Sequence, residues 1–384
     1  MINPHFSTKL EDIIKDYPEH LHTDPPNLSS SLITDLQQVI SKDGALLALE
    51  GNALIMITPN KSRIVLTGSI MESGFVNGNS TVARFNRPNA FMQHPDTRDI
   101  LVADTMNRCL RVVVYDLSRA VYTNSGKCAE NRIQPRIDGS QFARYEAPWD
   151  LAPLPCGRRV LVADKDTLRV VDMDRGTVNT VYQLPKISSE DDFRTLTLSH
   201  DGIIAITPKR LVTLSLNFTE KSVLYPHLSL DQAMGEYSGI DDFELIQLMK
   251  TFGTVNSNTD DNVRAELLID MIGMTVFSAD SVLVTSDKEQ GLFVVNLQDG
   301  TATRICTQGM FGISIIFNED EEFGCEYITK SAKLALINTT LYLYGRQKQP
   351  YIGIETMHLL GEYANYSHCR LSQKLVKMPE HTAQ

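Results

Sequence analysis

Two sets of residues carry specific chemistry by type and spacing. Asn27, Asn79, Asn217, Asn338 and Asn365 each head an N-x-S/T triplet, the acceptor sequence for an N-linked glycan, which requires a surface position in a secreted chain. Asn79 falls in an expected loop, Asn217 follows an expected strand, Asn338 sits in a tight turn and Asn365 lies near the C-terminus, so none interrupts a core strand. Asparagine is also an ordinary turn residue, and the triplets alone leave both readings open. The six cysteines include two pairs, Cys109/Cys128 and Cys306/Cys325, each 19 residues apart. Each pair starts in or after an expected strand and ends beyond a turn, so each can staple two adjacent segments. Six buried thiols are the alternative, and the redox compartment decides between them. Cys156 and Cys369 have no assigned partner.

The remaining polar residues point to structure rather than to catalysis. Of nine histidines only His94, His200 and His227 fall within the central repeats. His94 and His200 precede turns, where a surface role is expected rather than a metal site. Asp104, Asp164 and Asp287 recur after a strand. Recurrence with a repeat points to each carboxylate accepting bonds in its own turn rather than to a shared Ca²⁺ site. Arg84 and Arg144 both follow Ala, and a bond internal to the repeat is expected of each. No G-x-S-x-G, P-loop or G-x-G-x-x-G after a strand occurs. No catalytic residue, metal or cofactor is expected.

The balance of charge narrows the partner. The chain has 384 residues, a net charge of −11 and a pI near 5.3, whereas phosphate binding needs clustered Lys and Arg. Nucleic acid is therefore not expected as a partner. No apolar run approaches the ~20 residues that span a bilayer, so a membrane would be met only through a segment outside this sequence. The first twenty residues lack an apolar signal-peptide core. Taken literally that indicates an intracellular protein. The cysteine layout and the triplets point instead to a mature or truncated form of a longer secreted or membrane-anchored chain.

The elements that must position these residues come from repetition. ARFNRPNAFMQHPDTRDILVAD (83–104) returns 60 residues later as ARYEAPWDLAPLPCGRRVLVAD (143–164), with Ala83, Arg84, Pro88, Leu101 and Asp104 in register with Ala143, Arg144, Pro148, Leu161 and Asp164. Six segments share a two-strand hairpin pattern: 44–58, 99–114, 159–173, 202–215, 281–296 and 332–345. Their Val-, Ile- and Leu-rich runs, joined by polar turns and spaced about 42 to 80 residues apart, predict four strands per unit. The expected fold is an all-β, six-bladed β-propeller over residues 31–369. An extension over 1–30 precedes it and a tail over 370–384 follows. Gly78 and Gly139 are expected turn glycines. Phe243, Ile246, Leu248, Met249 and Phe252 follow Asp241 and Asp242 at helical spacing, which predicts a short amphipathic helix in an insert over 237–268, between blades four and five. A strand from 31–40 or 350–360 is expected to close the ring.

FVNGNSTVARFNRPNAFMQHPDTRDILVADTMNRCLRVV resembles an NHL repeat, whose pattern runs G-F-x-D-G … A-x-F-x-x-P … L-Y-V-A-D-x-x-N-x-x-I-R. Asn107 and Arg111 match the family's Asn and Arg, while Arg108 stands where the family has His. The second repeat lacks two residues in this turn, and its Asn has no counterpart. More narrowly, the NRCLRVV … NSGKC layout resembles NHL ectodomains of large animal cell-surface proteins. That resemblance implies a Cys109–Cys128 bridge, an extracellular location and a role in protein interaction or structure, with a protein partner, a second copy or a larger parent chain. A propeller enzyme of the lyase or Ca²⁺-dependent hydrolase type and an intracellular NHL scaffold are the alternatives.

Overall fold

Runs such as LLALE and ILVAD are apolar at nearly every position, which suits strands covered on both faces. In the computed structural model they are the central strands of stacked sheets. It describes residues 33–38, 45–185 (apart from 59–61, 95, 117, 129–134, 141 and 156–157), 191–228, 269–286 and 291–304, and the strands 332–337, 340–345 and 351–355.

The first sheet is β1 (Ile33–Gln38), β2 (Leu46–Glu50), β3 (Asn52–Ile57) and β4 (Arg63–Ser69). The second is β5 (Ala90–Gln93), β6 (Ile100–Asp104), β7 (Cys109–Val113) and β8 (Val121–Ser125). The third is β9 (Pro148–Pro153), β10 (Arg159–Asp164), β11 (Thr167–Asp172) and β12 (Val178–Gln183). The fourth is β13 (Thr195–Ser199), β14 (Gly202–Ile206), β15 (Leu211–Leu214) and β16 (Glu220–Leu224). The fifth joins β17 (His227–Leu228), β18 (Met271–Val276), β19 (Ser281–Ser286), β20 (Gly291–Asn296) and β21 (Thr301–Arg304). The sixth has β22 (Ala332–Ile337), β23 (Thr340–Gly345) and β24 (Tyr351–Glu355).

Strands pair antiparallel in sequence order, except that β17 adds in parallel to the edge of β21. Repeated up-and-down four-stranded sheets are the blades of a β-propeller, and the fold is of that all-β type. Among the described residues the one helical element is a 3₁₀ turn at Thr105–Asn107. The expected helix of 237–268 lies outside the described residues.

Two compact units divide the chain. One reaches Pro185 and holds the first three sheets. The other begins at Lys186 and holds the fourth and fifth sheets, β22, and most of β23 and β24. In the first unit β1, β5 and β9 lie side by side as first strands of successive sheets. Leu47, Leu54, Met56, Phe85, Phe91 and Val102 fill the layer between the first two sheets. Met92, Leu101, Leu110, Tyr145, Val160 and Val162 fill the next. Sheets covered on both faces explain why these strands do not alternate with polar residues. In the second unit Ile204, Leu211, Met271, Val284 and Phe293 form the corresponding layer.

All six expected hairpins coincide with paired strands. Ring closure was expected to draw a strand from the opposite end of the chain, and here the structure differs. β1 pairs with β2 of its own end and β24 with β23, because each segment has its nearest free strand edge next to it in sequence.

Candidate functional site

The repeat motif builds the same buried network twice. In the second sheet Asp104 ends β6 and Arg111 lies in β7, and both side chains are fully buried. Arg111 Nη1 donates to Asp104 Oδ2 at 2.8 Å, as does Asn107 Nδ2 at 2.8 Å. The Asn86 N–H donates to Asp104 Oδ1 at 2.8 Å. Arg111 also donates to Arg84 O (3.2 Å), Val76 O (2.8 Å) and Asn77 Oδ1 (2.8 Å). Its guanidinium lies 4.7 Å from the Phe75 ring centroid and 5.3 Å from that of Phe85, so its flat face meets π-electrons where it lacks oxygen partners. Asparagine at 77 must turn its oxygen to Arg111, because arginine can only donate.

The third sheet repeats the arrangement. Arg169 Nη1 donates to Asp164 Oδ2 (3.1 Å) and Arg144 O (2.5 Å), and Nη2 to Ile137 O (2.7 Å) and Asp138 Oδ1 (2.8 Å). Tyr145 takes the place of Phe85 under the guanidinium, 4.7 Å away. The shortened turn has no Asn, and the N–H groups of Glu146 (2.9 Å) and Ala147 (2.7 Å) supply Asp164 instead. Each carboxylate thus keeps three donors by a different route.

Burial dominates the electrostatics. It pushes the Asp104 carboxyl up to about 6 against the opposing pull of Asn107, Asn86 and Arg111. It raises Asp164 likewise, against Ala147 and Arg169, and lowers Arg111. Burial also acts upward on Asp138, but the Thr180 and Arg169 hydrogen bonds outweigh it and hold this carboxyl low.

The network ties a leading hairpin to its blade. In the second sheet that hairpin spans 74–84: Val76 bridges Arg84, and Gly78 bridges Val121 on the edge strand β8. In the third sheet Ile137 bridges Arg144, and Gly139 bridges Val178 on β12. Gly78 and Gly139 have φ of 146° and 126°, values that side-chain-bearing residues rarely adopt. Arg84 closes the hairpin through Glu72 (2.7 Å) and the carbonyls of Thr81, Val82 and Ala83, the repeat-internal role expected of it.

The other expected residues are distributed as follows. Cys109, buried at the start of β7, is bonded to Cys128 beyond the end of β8. Cys306, Cys325, Cys156 and Cys369 lie outside the described residues, as do Asn27, Asn338, Asn365 and Asp287. Asn79 is exposed at the hairpin tip, where its Oδ1 accepts from Thr81 Oγ1 (2.9 Å) and the Val82 N–H (3.2 Å). Asn217 is exposed in the turn between β15 and β16. His200 is exposed beside Asp201. His94 departs from expectation: it is only 5% exposed, and its Nδ1 accepts from the N–H groups of Asp96 and Thr97. It caps its own turn instead of facing solvent. Trp149 occupies a bulge of β9 opposite β10 and is half-buried.

Sequence reasoning missed the identity of Arg169 with Arg111, because the two-residue deletion shifts its register by two. The signal was the R-V-V run shared by both strands, at 111–113 and 169–171. It also missed Asp35, whose Oδ2 accepts from the Phe91 N–H of the neighbouring first strand at 2.8 Å. In the second unit Arg210 pairs with Asp191, both buried. Among the described residues no group of three His, Cys, Asp or Glu side chains is placed to hold a metal ion. Apolar side chains are exposed on the loops of the locked repeats: Met71 (71%), Met106 (53%), Val82 (50%) and Phe142 (75%).

The chain matches no protein-family model and no curated protein. Among solved structures it is similar to virginiamycin B lyase from Staphylococcus aureus (10% identity, TM-score 0.48, covering 85% of this chain and 95% of that one). It is also similar to a chain of the nidogen/laminin complex (10%, 0.44, 70% and 78%). A third similar structure is a gluconolactonase from Xanthomonas campestris (10%, 0.45, 85% and 86%).

Proposed function

We propose that this chain is an extracellular protein-interaction or structural module: a propeller of the NHL type, with residues 31–369 as its body, that displays loops to a protein partner. The observation that carries the proposal is the Cys109–Cys128 bridge, which closes the β7–β8 end of a blade. Such bonds persist in oxidising compartments. Two further features support it. The buried acidic and basic groups of both repeats are consumed in fixing loops, which suits rigid display. Asn79 and Asn217 are exposed acceptors at which a glycan meets no core strand.

The test is intact mass of the natural-source protein, with and without enzymatic deglycosylation, followed by non-reducing peptide mapping. Glycan at Asn79 or Asn217 together with a Cys109–Cys128 peptide is the expected result. Unmodified asparagines and six free thiols would return the chain to the intracellular scaffolds.

A further inference from the structure

The two locked repeats differ at one equivalent position. The third sheet has Asp138 followed by Gly139, and the second has Asn77 followed by Gly78. Both side chains accept from the η2 nitrogen of the buried arginine at 2.8 Å. Both face a threonine of the edge strand, but on different terms. Asp138 accepts the Thr180 N–H at 2.8 Å and its hydroxyl at 2.9 Å. Asn77 reaches Thr123 Oγ1 only through its own Nδ2, at 3.5 Å. An amide has one oxygen here and needs two. The carboxylate is the better occupant, because it accepts from the arginine and the threonine together.

The chain carries the means of making it. Asn77 is exposed, and the residue after it has no side chain to obstruct attack on the amide carbon. We propose that Asn77 is a maturation site that deamidates to aspartate, and that the aspartate form is the better-locked state of this repeat. The backbone nitrogen of Gly78 loses its proton to solvent base and attacks Asn77 Cγ. A C–N bond forms, the Cγ–Nδ2 bond breaks, and ammonia leaves with a proton from solvent. Water then opens the cyclic imide: cleavage between Cγ and the Gly78 nitrogen restores the peptide bond and gives aspartate, and cleavage at the other carbonyl gives isoaspartate. Nothing is oxidised or reduced, and water is the only co-reactant.

The Gly78 N–H donates to Val121 O at 3.0 Å, so attack requires this bridge to open. That is a local event at a hairpin tip rather than global unfolding. Once it recloses, Arg111 and Thr123 attract a carboxylate on the side chain, while isoaspartate lengthens the backbone and misplaces Gly78.

The test is a time course of the purified full chain in mildly alkaline buffer, folded and in urea, read by peptide mapping that separates aspartate from isoaspartate at residue 77. The folded chain should convert more slowly, with a higher aspartate-to-isoaspartate ratio than the unfolded chain. Separately, Asn77→Asp should raise the melting temperature by about 3 °C, and Asn77→Gln should lower it. An equal product ratio in both states would overturn the proposal. So would no conversion at residue 77 in the folded chain over a time in which the unfolded chain converts. Asn77→Asp that melts lower than the parent, or does not fold, would overturn it too.

Discussion

Replacing Arg111 with methionine isolates the lock. Methionine roughly conserves volume and keeps an apolar contact with Phe75 and Phe85, but removes four donated bonds, those to Asp104, Arg84, Val76 and Asn77. Asp104 retains only Asn86 and Asn107 and becomes a buried carboxylate without a cation. Breaking such a pair costs about 3–5 kcal/mol, which at about 2–4 °C per kcal/mol for a unit of this size lowers its melting temperature by about 6–20 °C. Trp149, the one tryptophan, sits in the same unit, so its fluorescence during urea unfolding of the full chain reads this transition. The sign with pH follows from Asp104. Its carboxyl is pushed up to about 6 from 3.8, so the folded state holds this proton more tightly than the unfolded state. Stability from this group is complete below about 4 and is lost as pH rises to about 6. Without Arg111 the carboxyl rises further, so Arg111→Met should cost more near neutrality than in mild acid. The Asp104→Asn/Arg111→Met pair should be less damaged than Arg111→Met alone. A cost under about 1 kcal/mol, or a double variant equal to the sum of the singles, would refute the idea that the pair acts as a unit.

The remaining predictions concern neighbouring supports. Cys109→Ser with Cys128→Ser opens a loop of sequence separation 19 and should cost about 3 kcal/mol, measured by urea unfolding against the oxidised parent; an unchanged midpoint would show the thiols are unpaired in solution. Gly126→Ala, at φ 94° with an added Cβ 2.8 Å from the Tyr145 ring and 3.0 Å from Cys109 Cα, should destabilise by more than about 1 kcal/mol, and melting no lower than the parent would contradict that. Asp35→Ala removes the carboxylate that accepts the Phe91 N–H and should cost about 1–3 kcal/mol; hydrogen exchange of the Phe91 amide should accelerate, and unchanged exchange would show that Asp35 does not protect it.

The hairpins were legible because strand pairs covered on both faces write continuous apolar runs, and 281–296 or 332–345 could be placed without any motif. The lock was only half legible. Asp104 and Asp164 declared themselves by recurring, and a structural role followed from recurrence alone. Arg169 did not, since a two-residue change of turn length breaks the register while leaving the guanidinium over its ring. Asn77 and Asp138 stand before the paired turn glycines Gly78 and Gly139, but the role they share, accepting from an arginine some 30 residues later, is written only in the fold. His94 read as surface because it precedes a turn; the ring folds back on the two N–H groups that follow and is buried by serving them.

What the lock accomplishes extends beyond holding a loop. The last strand of a blade exposes a row of unpaired N–H and C=O groups, a template for pairing with another chain. In the second and third sheets the leading hairpin is drawn over that edge, through Gly78 to Val121 and through Gly139 to Val178. Neither hairpin presents enough apolar surface to hold itself there: Val76, Val82, Ile137 and Phe142 are exposed. The buried arginine supplies the hold, reaching through the blade from the carboxylate of β6 or β10 to the hairpin carbonyls. In the fifth sheet, β17 covers β21 by ordinary parallel pairing. Edge protection thus arises by two routes, and only one of them needs the Asp–Arg pair. The motif is strong at 83–104 and 143–164, where the arginine holds a hairpin on the edge strand, and weak around 281–296, in the sheet whose edge β21 carries β17.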